Sequence, residues 1–153
     1  MRYMVIDSTE TIRVRTVVPA RKERVFRAWT EPSEVKRWWS IGEGWKTSFV
    51  DMDLRVGGKF TLGNEPADGN VVLITGEFLI VQPPDKLVYT WRFQGPKSEE
   101  SVVKVEFRDL GDQTEVLMTH EHSAEMGPSG EAAWNAVLQR LASLLGTPDK
   151  QNG

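Results

Sequence analysis

The sequence predicts an α+β domain in which an antiparallel sheet curves around one long C-terminal helix. Three observations predict it. The apolar pattern runs in the order strand, two short helices, about six strands, then one long helix. Short, turn-rich connections join the strands between Trp45 and His122, which favours an antiparallel meander. The final helix has one strong apolar face, and an antiparallel sheet can stay wet on one side while burying the other against it.

The first strand is "TIRVRTVVP", where Ile12, Val14 and Thr16 alternate with Arg13 and Arg15 until Pro19 ends the run. In "ARKERVFRAWT", Val25, Phe26 and Trp29 fall on one helical face, with Arg21, Lys22, Arg24 and Arg27 mostly off it. A second short helix is expected in "EPSEVKRWW", with Pro32 in its first turn and Ser33 nearby. It ends on the adjacent indoles Trp38 and Trp39. Neighbouring helical side chains diverge by about 100°, so one indole is expected to be buried and the other partly exposed.

"KTSFVDMDLRV" alternates Val50, Met52, Leu54 and Val56 with Asp51, Asp53 and Arg55. Gly57 and Gly58 then break or bulge it before "KFTL". "NEPADGN" reads as turn chemistry, and "VVLITGEFLIV" as a long strand that Gly76 allows to bend. "QPPDK" is a turn. "LVYTWRF" then sets Leu87, Tyr89, Trp91 and Phe93 on one face. "SVVKVEF" aligns Val103, Val105 and Phe107, "LGDQ" makes a hairpin loop, and "TEVLMTH" aligns Val116, Met118 and His120. In "GEAAWNAVLQRLASLLG", Trp134, Val137, Leu138, Leu141, Leu144 and Leu145 share a helical stripe, with Gly146 at its C-terminal end. "TPDKQNG" is expected to be a flexible tail of residues 147–153.

A chain of 153 residues suits one domain, spanning 1–153 with its core at about 11–146. The net charge of -3 gives no reason to expect a nucleic-acid partner. Charge is uneven, however. Arg13, Arg15, Arg21, Lys22, Arg24, Arg27, Lys36 and Arg37 outweigh Glu23, Glu31 and Glu34 between residues 11 and 40. That run is either an ordinary solvated face or a surface for an acidic partner. The absence of cysteine excludes disulfides, thiolate catalysis and cysteine-based metal sites. "MRYMVIDSTE" lacks the apolar core of a signal peptide, and no apolar run is long enough for membrane insertion. A cytoplasmic location is the expectation.

Five segments together carry a family resemblance: "VFRAWTEPSEVKRWW", "DMDLRVGGKF", "GEFLIVQPPDKLVYTW", "VEFRDLGDQTEVLMTHE" and "WNAVLQRLASLL". In this order, over roughly residues 11 to 146, the chain resembles the homologues of the activator of the heat-shock-protein ATPase. They sit in the START-like (SRPBCC) superfamily, beside the birch-pollen allergen and polyketide cyclases. The resemblance implies a helix-grip fold. Its seven-stranded antiparallel sheet curves around the long C-terminal helix, with two short helices between strands 1 and 2. It also implies a deep, mostly apolar cavity between sheet and helix. The superfamily's functions are diverse, so the fold alone does not select one. The first strand begins near Thr11, so the separate chaperone-engaging domain of the eukaryotic co-chaperones is expected to be missing.

The inward candidates at the sheet–helix interface are Phe78, Tyr89, Trp91, Phe107, Met118, Trp134 and Leu138. Aromatic residues and methionine beside a few polar groups suit an apolar ligand, though the same set serves equally as a plain core. Trp38 and Trp39 would close the cavity mouth as a lid or fill it as a plug. His120 continues the Val116–Met118 face, as a hydrogen-bonded core residue or a ligand-contacting one. His120 and His122 share a face, but two histidines need a third metal ligand and the sequence supplies none. Asp51, Glu77 and Arg92 are polar candidates for the interior. Asp53 and Arg55 could pair on one strand face.

The expected function is therefore binding of a small hydrophobic or aromatic, lipid-like molecule, with no cofactor. A co-chaperone-like or stress-response module, with a chaperone or other protein as partner, is the alternative. A cyclase or dehydratase using His120 or an interior carboxylate is the lesser one. No nucleophile elbow or phosphate loop is present.

Overall fold

The computed structural model describes residues 9–40, 44–67, 69–93, 100–123 and 129–146. Strand β1 (Thr9–Val18) leads into helices α1 (Lys22–Thr30) and α2 (Pro32–Trp38). Strands β2 (Trp45–Met52), β3 (Lys59–Pro66), β4 (Val72–Gln82), β5 (Lys86–Phe93), β6 (Ser101–Asp109) and β7 (Thr114–Ser123) follow, and helix α3 (Ser129–Gly146) closes the order. The strands form one seven-stranded antiparallel sheet in the order β1-β7-β6-β5-β4-β3-β2. This is the expected α+β helix-grip arrangement, with two short helices between β1 and β2.

Period-two patterning sets the inner face. Leu87, Tyr89 and Trp91 of β5 oppose Val105, Val103 and Ser101 of β6, and all six are buried. Val116, Met118 and His120 of β7 continue the row and are buried too. Trp134, Val137, Leu138 and Leu141 of α3 bury against this face at helical spacing.

α1 and α2 are separated by Glu31, whose extended backbone suits the residue before proline. Pro32 then opens α2, where its missing N–H costs nothing. α1 buries Val25, Phe26, Ala28 and Trp29. The Phe26 and Trp29 rings both meet Phe107 edge-on, at 5.5 and 5.7 Å, which ties α1 to β6.

Several sequence-based expectations fail locally. β2 stops at Met52 instead of running to Val56. Asp53 N–H donates to the Lys59 carbonyl, and Gly57 takes a positive φ of 85° in a tight turn. Leu54 and Val56 are therefore exposed. Arg55 pairs with Asp53 at 2.9 Å, but on this exposed turn and not on a strand. Asn64, Glu65 and Pro66 belong to β3, not to a turn. Asp51 and Arg92 are exposed and Glu77 is half-buried, so none is a polar group of the interior. Gly76 lies within β4, opposite Phe60 of β3. A Cβ there would collide with the Thr90 carbonyl oxygen and the Phe60 ring, so the missing side chain lets that ring lie on the strand. Residues 147–153, the expected flexible tail, lie outside the described residues.

Candidate ligand site

A small cavity lies between the inner face of the sheet and the α1–α2 pair. Tyr89 and Trp91 reach it from β5, Phe78 from β4, Phe60 and Leu62 from β3, and Met52 from β2. Trp29 of α1, Val35 and Trp38 of α2, and Trp39 just after α2 cover it. The centre of a water-sized sphere can occupy about 30 Å³ of it, room for roughly two waters. Its rings meet at angles that suit their quadrupoles: Phe60 stands edge-on to Tyr89 at 5.3 Å, and Trp29 lies tilted on Trp38 at 4.9 Å.

Four indole N–H groups belong to this wall, and three are engaged. Trp38 Nε1 donates to the Ala28 carbonyl at 2.9 Å. Trp39 Nε1 donates to Asn64 Oδ1 at 2.8 Å. Trp29 Nε1 donates to the Tyr89 hydroxyl at 3.3 Å. The fourth, Trp91 Nε1, is buried and has no partner among the described residues. Burial pushes the Tyr89 hydroxyl pKa well above its ordinary value, and the Trp29 bond offsets only part of this.

Asn64 is the polar anchor of the cover. It is buried, and its Nδ2 donates to the Leu62 carbonyl at 3.2 Å and to the Val72 carbonyl at 3.0 Å. The side-chain oxygen is thereby aimed at Trp39. Thr47 Oγ1 also donates to the Trp39 carbonyl at 2.7 Å. Arg24 of α1 holds Glu34 of α2 at 3.2 Å.

Of the expected site residues, Trp38, Trp39, Phe78, Tyr89 and Trp91 border this cavity. Phe107, Met118, His120, Trp134 and Leu138 do not; all are buried in the core, Phe107 against Phe26 and Trp29 of α1 and His120 against Trp134 of α3. The cavity is thus covered by α1 and α2, and α3 contributes none of its lining among the described residues. Trp38 and Trp39 do not divide into one buried and one rim-exposed ring: they are 2% and 6% exposed. α2 ends at Trp38, and Trp39 is already extended at φ -73° and ψ 134°. The helical divergence of 100° does not apply across that step, and both rings turn inward.

Among the described residues, Trp29, Val35, Met52, Phe60 and Leu62 complete the lining. Their sequence signal was apolar alternation and helical spacing, which do not separate a cavity wall from a core. Asn64 was hidden in a segment rich in turn-forming residues.

His120 sits in a separate polar chain. Trp134 Nε1 donates to His120 Nδ1 at 3.0 Å, and His120 Nε2 lies 2.8 Å from Ser101 Oγ. Ser101 Oγ donates to the Trp91 carbonyl at 3.2 Å. An indole N–H only donates, so Nδ1 accepts and the imidazole is the neutral Nε2–H tautomer. His120 is fully buried. The side chain of His122 lies outside the described residues, among which no three His, Asp or Glu residues gather as a metal site.

Much of the basic run is paired within the molecule: Arg15 with Glu115 at 3.1 Å, Lys22 with Asp85 at 2.6 Å, and Arg24 with Glu34. Arg27, Lys36 and Arg37 are exposed on α1 and α2. No helix among the described residues is long and apolar enough to cross a membrane.

Comparison with known proteins places this geometry. No curated protein matches the sequence. Among solved structures, protein CV1439 from Chromobacterium violaceum shares 25% identity at a TM-score of 0.77, over 88% of this chain and 96% of its own. An AHSA1-like protein from Aeromonas hydrophila shares 25% identity at a TM-score of 0.77, over 90% of this chain and 92% of its own. CalU16 from Micromonospora echinospora shares 26% identity at a TM-score of 0.69, over 94% of this chain and 80% of its own. The model of the family described as "Activator of Hsp90 ATPase homolog 1-like protein" matches residues 19–146, from just before α1 to the end of α3. The chain belongs to the Activator of Hsp90 ATPase homolog 1-like family.

Proposed function

We propose that this protein binds a small hydrophobic or aromatic molecule in the cavity beneath α1 and α2, in the cytoplasm. One observation carries the reading: a cavity whose lining is apolar and aromatic, with no charged side chain on it among the described residues. Burial of apolar ligand surface would drive binding, at roughly 25 cal/mol per Å². Pockets for drug-sized ligands are typically about 300–1,000 Å³, so such a ligand enters only if the cover moves. The Trp39–Asn64, Thr47–Trp39 and Arg24–Glu34 contacts hold that cover and set what opening costs.

Titration with a fatty acid, a lysolipid and a flavonoid, followed by tryptophan fluorescence, tests the reading. A saturable change with one, displaced by a second compound, supports it. No saturable change with any of them would remove it.

A second reading, a protein-interaction module, rests on the exposed cations Arg27, Lys36 and Arg37. Charge reversal there would abolish capture of a chaperone or other acidic partner without altering small-molecule binding. The cyclase or dehydratase reading is not carried forward, because His120 is buried and off the cavity.

A further inference from the structure

We infer that the shallow groove between α2 and α3 binds a phosphate monoester between Arg37 and Arg140, and that the bound phosphoryl group ties α2 to α3. Arg37 is exposed in the last turn of α2, and Arg140 is half-buried on α3, before its last turn. Both border this one groove, with Gln139, Ser143 and Leu144 beside them. The two elements are fixed to each other here. Arg140 Nη1 donates to the Ser40 carbonyl at 3.3 Å, and the Trp39 and Trp134 rings lie tilted at 5.6 Å. That bond anchors the Arg140 guanidinium while using only one of its N–H donors.

Charge gives the ligand class. Among the described residues neither arginine forms an ion pair, and no acidic side chain borders the groove. Glu34, one helical turn before Arg37, is held by Arg24 at 3.2 Å. α3 carries no aspartate or glutamate after Glu131. The end of α2 favours a cation such as Arg37, but no helix end accounts for Arg140. Two guanidiniums on one groove without a counter-charge repel. A phosphate monoester carries a charge of about -1.5 to -2. It relieves that repulsion and accepts forked N–H bonds from both arginines. The Gln139 amide supplies a further donor, and Leu144 offers the ester's apolar group a surface to lie on. The groove and the cavity beneath α1 and α2 have no lining residue in common among the described residues. The anion site therefore stands whether or not the cavity holds a ligand. Since α2 is part of the cavity's cover, bridging it to α3 holds that cover closed.

Phenyl phosphate, inorganic phosphate and benzoate, each titrated into the full chain at low ionic strength and followed by NMR, test this. Phenyl phosphate and benzoate share one ring, so the difference between them isolates the phosphoryl group. Phenyl phosphate should shift the amides of residues 36–40 and 139–144 saturably. It should bind tighter than inorganic phosphate and on the order of tenfold tighter than benzoate. Hydrogen exchange in α2 should slow when it is bound. Arg37→Gln and Arg140→Gln should each weaken binding on the order of tenfold, whereas Arg13→Gln, which removes an exposed cation of β1, should not. Arg37 is exposed, so its variant remains a test in a folded chain even if Arg140→Gln does not fold. Phosphatidylcholine vesicles with and without phosphatidic acid distinguish the source of the ester. Sedimentation with the phosphatidic acid vesicles, lost in Arg37→Gln, would assign it to a lipid headgroup and uphold the site. The inference is overturned if no phosphoryl probe binds, if benzoate binds equally well, or if α2 exchange is unchanged at saturation. Equal weakening by Arg13→Gln and Arg37→Gln would also overturn it, leaving the two arginines as ordinary solvated cations. None of these outcomes decides the cavity reading, which rests on its own titration.

Discussion

Trp134 donates its indole N–H to Nδ1 of the fully buried His120 at 3.0 Å, joining α3 to β7 through the core. The bond fixes the tautomer, and the Nε2–H then meets Ser101. His120→Ala would remove the ring and orphan two polar neighbours. A loss of about 2–4 kcal/mol in urea denaturation is expected. A double-mutant cycle with Trp134→Phe should show coupling of about 1 kcal/mol or more. Additive losses would mean that the bond contributes nothing of its own.

Tyr89 supplies a pH test. Burial raises its pKa in the folded protein, so the fold holds the proton more tightly than the unfolded chain does. The resulting stability is fully present below the ordinary tyrosine value of about 10 and declines as pH rises beyond it. The urea midpoint should therefore fall more steeply above about pH 10 in the wild type than in Tyr89→Phe. The tyrosinate absorbance belonging to Tyr89 should appear only on unfolding. Ionisation of Tyr89 in the folded protein near pH 10 would contradict its buried placement.

Asn64 tests the cover. Asn64→Leu removes the acceptor for Trp39 and frees the Leu62 and Val72 carbonyls from their side-chain donor. A destabilisation of about 2–4 kcal/mol is expected. Hydrogen exchange should accelerate in α2 more than in α3. Equal acceleration in both helices would show that Asn64 supports the whole core and not the cover in particular.

Two glycines should respond to alanine for different reasons. Gly76→Ala drives a methyl into the Thr90 carbonyl and the Phe60 ring, with an expected cost of about 1–3 kcal/mol. Gly111→Ala meets open space, and its φ of 90° costs about 1–2 kcal/mol through backbone conformation alone. Gly76→Ala should also perturb Phe60 and hence the cavity, while Gly111→Ala leaves the cavity resonances unchanged.

The sheet and α3 were legible because their patterns are long and regular. Leu87, Tyr89 and Trp91 alternate, and Trp134, Leu138 and Leu141 repeat along a helix. The end of β2 was not legible: apolar alternation persists through Leu54 and Val56 even though the backbone turns at Gly57. The Trp38–Trp39 pair misled for a related reason. Its geometry depends on the helix ending between the two residues, and composition does not mark that step. Cavity position was the hardest feature to read. Phe107 and Tyr89 carry the same inward signal, yet only Tyr89 borders the space under α1 and α2. Which inward residues leave a gap depends on the tilt of the helices, not on strand period.

The most direct test of the cavity's position is an indole N–H map during titration with 1-indanone. Six tryptophans report at once, four of them on the cavity wall. Trp29, Trp38, Trp39 and Trp91 should shift saturably with a common dissociation constant, well beyond Trp134, which lies against His120 behind that wall. Saturable shifts led by Trp134, with the other four unmoved, would put the ligand beside α3 and contradict the account.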